Sequence, residues 1–236
     1  MQELLAHYSK RFRSGLGFQN QSTAKSFLSG KDIVAPVDQG YINSLLDRLC
    51  ELLERLNCTV HEEIRHKDIQ KIINESIRSP ARLITDQGIL AKLNNQGRRP
   101  EEVLFSWLRG YAVVEYFFPA IGKIFNIDHG KIFRIGDDDF RNIDTFRRTP
   151  SADLKIHLGH KTIHIEVQSG FQGINDIKEH KLREARRLWS EKEHATVCIH
   201  FDVFNGQVAF VRLDTISEND IHMVTRQQME GQSVFQ

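Results

Sequence analysis

The chain has 236 residues, 40% of them hydrophobic, and a formal net charge of +1. That composition supports a substantial core in one domain, or one domain with a helical annex, and it weighs against a protein that holds nucleic acid by bulk positive charge, though not against one that gathers its cations around an acidic site. No run approaches the ~18 apolar residues of a membrane span, the first residues lack the apolar core of a signal peptide, and Cys50, Cys58 and Cys198 lack metal-ligand spacing, so free thiols in a reducing cytoplasm are the expectation.

Residues 1–12 read as the start of a short helix, and Arg11 to Gly40 as a loop-rich segment punctuated by Gly15, Gly17, Gly30 and Pro36. Arg11, Arg13, Lys25 and Lys31 make that segment basic, suited to an arm around DNA or a partner subunit, or to a mobile tail. From Ile42 to Leu56, apolar residues recur at spacings of three and four and predict an amphipathic helix, whose leucine stripe suits a core face or a dimer seam. Lys67 to Ile77 repeats the pattern, Ser79-Pro80 suits the start of another helix, and a further helical piece spans Ala81 to Asn94, interrupted near Gly88. Gln96 to Pro100 is a break carrying Arg98 and Arg99.

Glu101 to Phe125 predicts the longest apolar helix, with Pro119 expected to kink or divide it. Glu115 stands among aromatic residues there, and a buried carboxylate needs a partner, a proton or a metal. Lys131 to Ile135 reads as a first strand. The acidic run Asp137-Asp138-Asp139 follows and reads as a solvated turn, with Asp144 nearby. Arg141, Arg147 and Arg148 precede the next strand, where they suit phosphate contact.

The stretch from Ser151 to Gln168 alternates on both arms of a hairpin. Leu154, Ile156 and Leu158 point one way, as do Ile163, Ile165 and Val167, with Gly159-His160 as a two-residue turn. Counting back from the turn, Leu154 pairs with Ile165, Lys155 with His164, and Asp153 with Glu166. Two carboxylates then oppose one another with Cβ atoms roughly 4.5–5.5 Å apart, a repulsive arrangement that a divalent cation such as Mg²⁺ would turn into binding. A loop follows, then a helix from Asn175 to Glu191 bearing Lys178, Lys181, Arg183, Arg186 and Arg187, then strands over Thr196–Val203 and Val208–Leu213 joined at Asn205-Gly206. The tail after Ser217 shows little pattern.

Asp153, twelve intervening residues, then Glu166-Val-Gln168 on the adjacent strand resembles the PD-(D/E)xK nuclease superfamily, and most closely those type II restriction endonucleases that carry glutamine in place of the lysine. Pro150 stands three residues before Asp153 rather than next to it, and Gln168 is neutral. The resemblance implies an α/β fold, a restriction-endonuclease-like core of helix, three-strand meander, helix and strand over 101–236, behind a mainly helical N-terminal region over 1–100 that matches no named pattern.

The resemblance further implies a Mg²⁺-dependent endonuclease acting on double-stranded DNA as a homodimer, with a cognate DNA methyltransferase as genetic partner. Asp153, Glu166 and the Val167 carbonyl would hold the ion. Glu115 is the candidate for an extra acid from the preceding helix, with Glu101 or Glu102 as alternatives. Gln168 would orient water or phosphate. The missing cation falls to Lys155, or to Lys178 or Lys181. Arg98, Arg99, Arg147, Arg148, Lys178 and Lys181 would meet the DNA backbone. Two other readings are a repair or recombination nuclease of the same superfamily, and a non-catalytic DNA-binding protein on a decayed nuclease scaffold.

Overall fold

The computed structural model describes residues 2–29, 33–34, 36–93, 98–136, 151–170, 176–217, 223–226 and 232–235. It is a mixed α/β fold in which a five-stranded sheet lies between two helical layers. The strands are β1 (Ile132–Arg134), β2 (Leu154–Leu158), β3 (Lys161–Gly170), β5 (Ala195–Asp202) and β6 (Gln207–Arg212), in the order β1-β2-β3-β5-β6. All neighbours are antiparallel except β3 and β5, which run parallel. The crossover between those two is the helix α7 (Glu179–Lys192), entered through the two-residue β4 (Ile177–Lys178). A parallel pair requires such a crossover.

Alternation divides the sheet into two faces. Leu154, Ile156, Ile165, Ile199 and Phe201 point to one side and join a single apolar core with the helices before the sheet. Those helices are α3 (Gln39–Thr59), α4 (Ile69–Ile73), α5 (Ser79–Asp86) and α6 (Pro100–Ile124). Phe117 of α6 stacks on Phe201 with centroids 3.9 Å apart. On the other side, Cys198 packs with Leu182 and Ala185 of α7 and with Leu213. A buried polar hub ties α3 to α6: Asn57 Oδ1 accepts from the Tyr116 hydroxyl at 3.0 Å and the His66 N–H at 2.8 Å, while Asn57 Nδ2 donates to the His66 carbonyl at 3.0 Å.

Several expectations need correction. The supposed loop from Arg11 to Gly40 contains α2 (Gln21–Leu28), and α1 (Gln2–Gly15) extends past residue 12. Asn20 starts α2 through a reciprocal capping box with Thr23. Polar composition hid this helix, which buries no residue. Between α4 and α5 the chain never breaks. Residues Asn74–Arg78 form a π-helical turn that runs straight into Pro80, so Ser79-Pro80 continues a helical path rather than starting one afresh.

Pro119 does not divide α6. Its ring removes one helical N–H, but Phe117, Phe118, Ala120 and Ile121 around it are buried and hold the helix in line. The helix expected from Asn175 begins only at Glu179, because Ile177 and Lys178 pair instead with Phe235 and Val234 of β8 (Gln232–Phe235). The apparently patternless tail supplies β7 (Met223–Arg226) and β8, which complete a three-stranded sheet in the order β4-β8-β7. The acidic run 137–139, with Asp144, Arg141, Arg147 and Arg148, lies outside the described residues.

Candidate active site

The hairpin register is the one its turn dictates: Leu154 pairs with Ile165, Lys155 with His164, and Ile156 with Ile163. Gly159 adopts a φ of 59°, which a tight turn of this kind asks of its first residue. Pairing stops at Leu154, however. Asp153 is not a ladder partner of Glu166. Its carbonyl instead accepts from the N–H groups of Ile135 (3.0 Å) and Gly136 (3.1 Å) at the end of β1. Its side chain turns inward, and Oδ2 accepts the Val167 N–H at 2.7 Å. The expected head-on opposition thus becomes a bend in which Asp153 reaches across to β3 from just outside β2.

Glu166 is 8% exposed and lies on the sheet face that α7 covers. Its Oε2 accepts from Lys181 Nζ at 2.8 Å, and the same ammonium donates to the Ser151 carbonyl at 2.7 Å. Lys181 is therefore fixed both to the acid and to the chain leading into Asp153. Cys198, opposite Glu166 on β5, senses the whole group. Burial first, then the charges of Glu166 and Asp153, push its thiol up to about 12, against the pull of Lys181. Glu166 and Lys181 are in contact there, and Asp153 is near enough for its charge to reach the same thiol.

The other candidates are distributed as follows. Gln168 lies on the same face as Glu166, opposite His200. His200 is 5% exposed, neither ring nitrogen has a partner among the described residues, and its ring sits where a Cβ on Gly170 would come within 3.3 Å. Burial lowers its pKa, so the imidazole is neutral near pH 7. Sequence reasoning passed over His200 because its strand reads as a continuous buried run.

Lys155 projects from the same face but lies over the Phe133 ring, 5.6 Å from its centroid, beside His164 rather than beside the acids. Glu115 is engaged by Arg134, whose Nε and Nη2 donate to its two oxygens at 2.7 and 2.8 Å. Arg134 pairs with Leu154 and so belongs to the α6 side of the sheet, opposite the face of Glu166. Glu101 is buried and accepts from the Asp38 N–H and from Arg99, anchoring the segment before α3. Arg99 also stacks on Tyr41, 4.7 Å from the ring centroid. Arg98 donates to the Glu102 carbonyl at 3.4 Å, and Lys178 occupies the N-cap position of α7 without a side-chain capping bond.

Among the described residues no group of three or more His, Cys, Asp or Glu side chains is disposed to hold a metal ion. The oxygen donors available beside one another are the carboxylates of Asp153 and Glu166, with the Asp153 carboxylate held by the Val167 N–H. Such hard oxygen donors fit Mg²⁺, which keeps water and substrate phosphate in its remaining positions. No protein-family model matches the chain, and searches of curated proteins and of solved structures returned no significant similarity. Among the described residues no helix is long and apolar enough to cross a membrane.

Proposed function

We propose that this chain is a Mg²⁺-dependent endodeoxyribonuclease of the PD-(D/E)xK type, acting as a sequence-specific type II restriction enzyme on double-stranded DNA and working as a homodimer. The observation that carries the reading is the ion pair of Glu166 with Lys181, beside Asp153. An acid pair on adjoining strand segments is accompanied by an ammonium from the next helix, which supplies the cation that the Glu166-Val-Gln168 motif lacks. The order α6, β1, β2, β3, α7, β5, with β3 and β5 parallel, is also the order the resemblance implies.

Asp153, Glu166 and the Val167 carbonyl would hold the ion. When bound, Mg²⁺ polarises the scissile phosphate and lowers the pKa of a water. Every other task falls to the protein. Bonding to the Val167 N–H fixes the Asp153 carboxylate against β3. Lys181, held at Glu166, brings a positive charge to where the phosphate gains negative charge, an effect strengthened by its largely buried setting. Gln168, one step along the same face, donates a neutral hydrogen bond that orients water or phosphate without adding charge. Homodimerisation would match protein symmetry to a palindromic site.

Incubating plasmid DNA with the protein and Mg²⁺ tests the reading. Discrete fragments are the expected result. A smear would replace sequence specificity with general or structure-selective cleavage. Intact plasmid across Mg²⁺ and Mn²⁺ would reject the nuclease reading in favour of DNA binding alone.

A further inference from the structure

Between α7 and the sheet, beside Glu166, lies a small cavity with about 10 Å³ of room for the centre of a water molecule. That is close to the space one water needs. Glu166, Lys181, Glu184 and Thr196 provide its polar lining, and Ala152 and Leu213 are among its apolar walls.

Three polar groups in this lining have bonding capacity to spare. An ammonium has three N–H donors. Lys181 commits one to Glu166 at 2.8 Å and one to the Ser151 carbonyl at 2.7 Å. Thr196 is 4% exposed, and its Oγ1 has no partner among the described residues. Its backbone is pinned, with the N–H donating to Asp214 Oδ1 at 3.0 Å and the strand paired at His164. A buried hydroxyl without a partner is destabilising. Glu184 offers a third contact. Its oxygens accept from Arg187 at 2.9 and 2.7 Å, and a carboxylate has about four acceptor sites.

We propose that one water molecule occupies this cavity, accepting the third N–H of Lys181 and hydrogen-bonding to Thr196 Oγ1 and Glu184, and that Thr196 is a positioning residue for Lys181. A buried water typically makes about three hydrogen bonds, and these side chains supply three. With the ammonium already in the lining, a second cation is disfavoured and a neutral guest of this size is favoured. Tied on three sides, Lys181 keeps one orientation toward Glu166. The catalytic consequence rests on the nuclease reading above, whereas the water itself does not.

The test has two arms. Crystals diffracting well enough to order solvent should show one water within hydrogen-bonding distance of both Lys181 Nζ and Thr196 Oγ1, and Thr196→Val, which keeps the shape and removes the hydroxyl, should lose it. A dry cavity in the wild-type protein would overturn the inference. In cleavage assays, Thr196→Val should lower kcat about tenfold, the scale of one hydrogen bond to a charged group, with KM unchanged, and Thr196→Ser should restore it. Equal kcat in Thr196→Val and wild type would overturn the positioning role. A wild-type protein that cuts nothing would sink the nuclease reading instead, leaving the density to decide the water.

Discussion

Lys181 reaches Glu166 from a different element, thirteen positions after Gln168, where the motif leads one to expect its cation, and the two groups meet at 2.8 Å with side chains only 17% and 10% exposed. An ammonium so placed satisfies the acid in the folded chain and, in the proposed nuclease, would bring positive charge to a bound phosphate. Under the nuclease reading the same residue would link stability, metal affinity and catalysis.

Asp153→Asn and Glu166→Gln are expected to abolish cleavage while leaving the fold and metal-free DNA binding intact. Plasmid digestion beside circular dichroism and an electrophoretic shift assay in EDTA checks this. Full cutting by either variant would remove that residue from the mechanism.

Lys181→Met separates two effects of one charge. Removing the ammonium takes from Glu166 the cation it meets at 2.8 Å, so under the nuclease reading Mg²⁺ or Mn²⁺ should bind more tightly, as measured by calorimetry. Cleavage should nevertheless fall roughly 100-fold or more, the usual consequence of deleting a preorganised charge. Tighter binding with undiminished cutting would show that the lysine only balances the acid.

Gly136 lies so close to the bend that an added Cβ would stand 3.1 Å from the Asp153 Cα. A backbone atom cannot swing aside as a side-chain tip can. Gly136→Ala should therefore displace Asp153, lowering cleavage by about 10- to 100-fold as small misplacements of reacting groups do, for a stability loss of about 1–3 kcal/mol. Comparing kcat with the denaturation midpoint separates the two.

His164 provides a pH test of the fold. Burial first, then His194, Lys155 and Lys192, bring its pKa down to about 4 from 6.5, with Glu184 opposing. A depressed histidine binds a proton more readily when unfolded, so its stabilisation is complete above about pH 6.5 and is lost progressively as pH falls toward 4. Burial also lowers His194 and His200, which act in the same direction. Urea titrations at pH 7.5 and 5 should show the loss, and His164→Gln should reduce it by on the order of 1 kcal/mol once solvent screening is allowed for. A loss of equal size in the variant would assign it elsewhere.

The Asn57 hub makes a prediction about the helical layer. Tyr116→Phe removes one hydroxyl and should cost about 1 kcal/mol, whereas Asn57→Ala strands that hydroxyl together with the His66 backbone groups and should cost about 3 kcal/mol. Chemical denaturation measures both. Equal costs would mean that water replaces the asparagine.

The legible parts of the chain were those where one local pattern decides the structure. Strict alternation and Gly159 set the hairpin register down to its individual pairs. The three- and four-residue spacing of apolar side chains located α3 and α6. What stayed hidden depends on distant partners. Asp153 leaves the ladder because β1 claims its carbonyl, and nothing near Asp153 announces that. Lys181 was only one of several basic residues on its helix until the crossover carried it to Glu166. Glu115 read as an acid among aromatics without a visible partner, but Arg134, nineteen residues later, pairs with it. Likewise β7 and β8 are too short to show a period and exist through pairing with one another and with β4.

The assembly order follows from the separation of these groups along the chain. The hairpin that brings Asp153 to the Val167 N–H, next to Glu166, closes through a tight reversal, an event of microseconds in isolated hairpins. Lys181 arrives only when the α7 crossover has closed and β5 has docked in parallel, and such long-range pairing is slower. During refolding the hairpin that carries Glu166 is therefore expected to form before Lys181 reaches that carboxylate. Under the nuclease reading, a divalent cation in the refolding buffer would occupy the acids during that interval, so the ion would act first as a folding aid and only afterwards as a reagent.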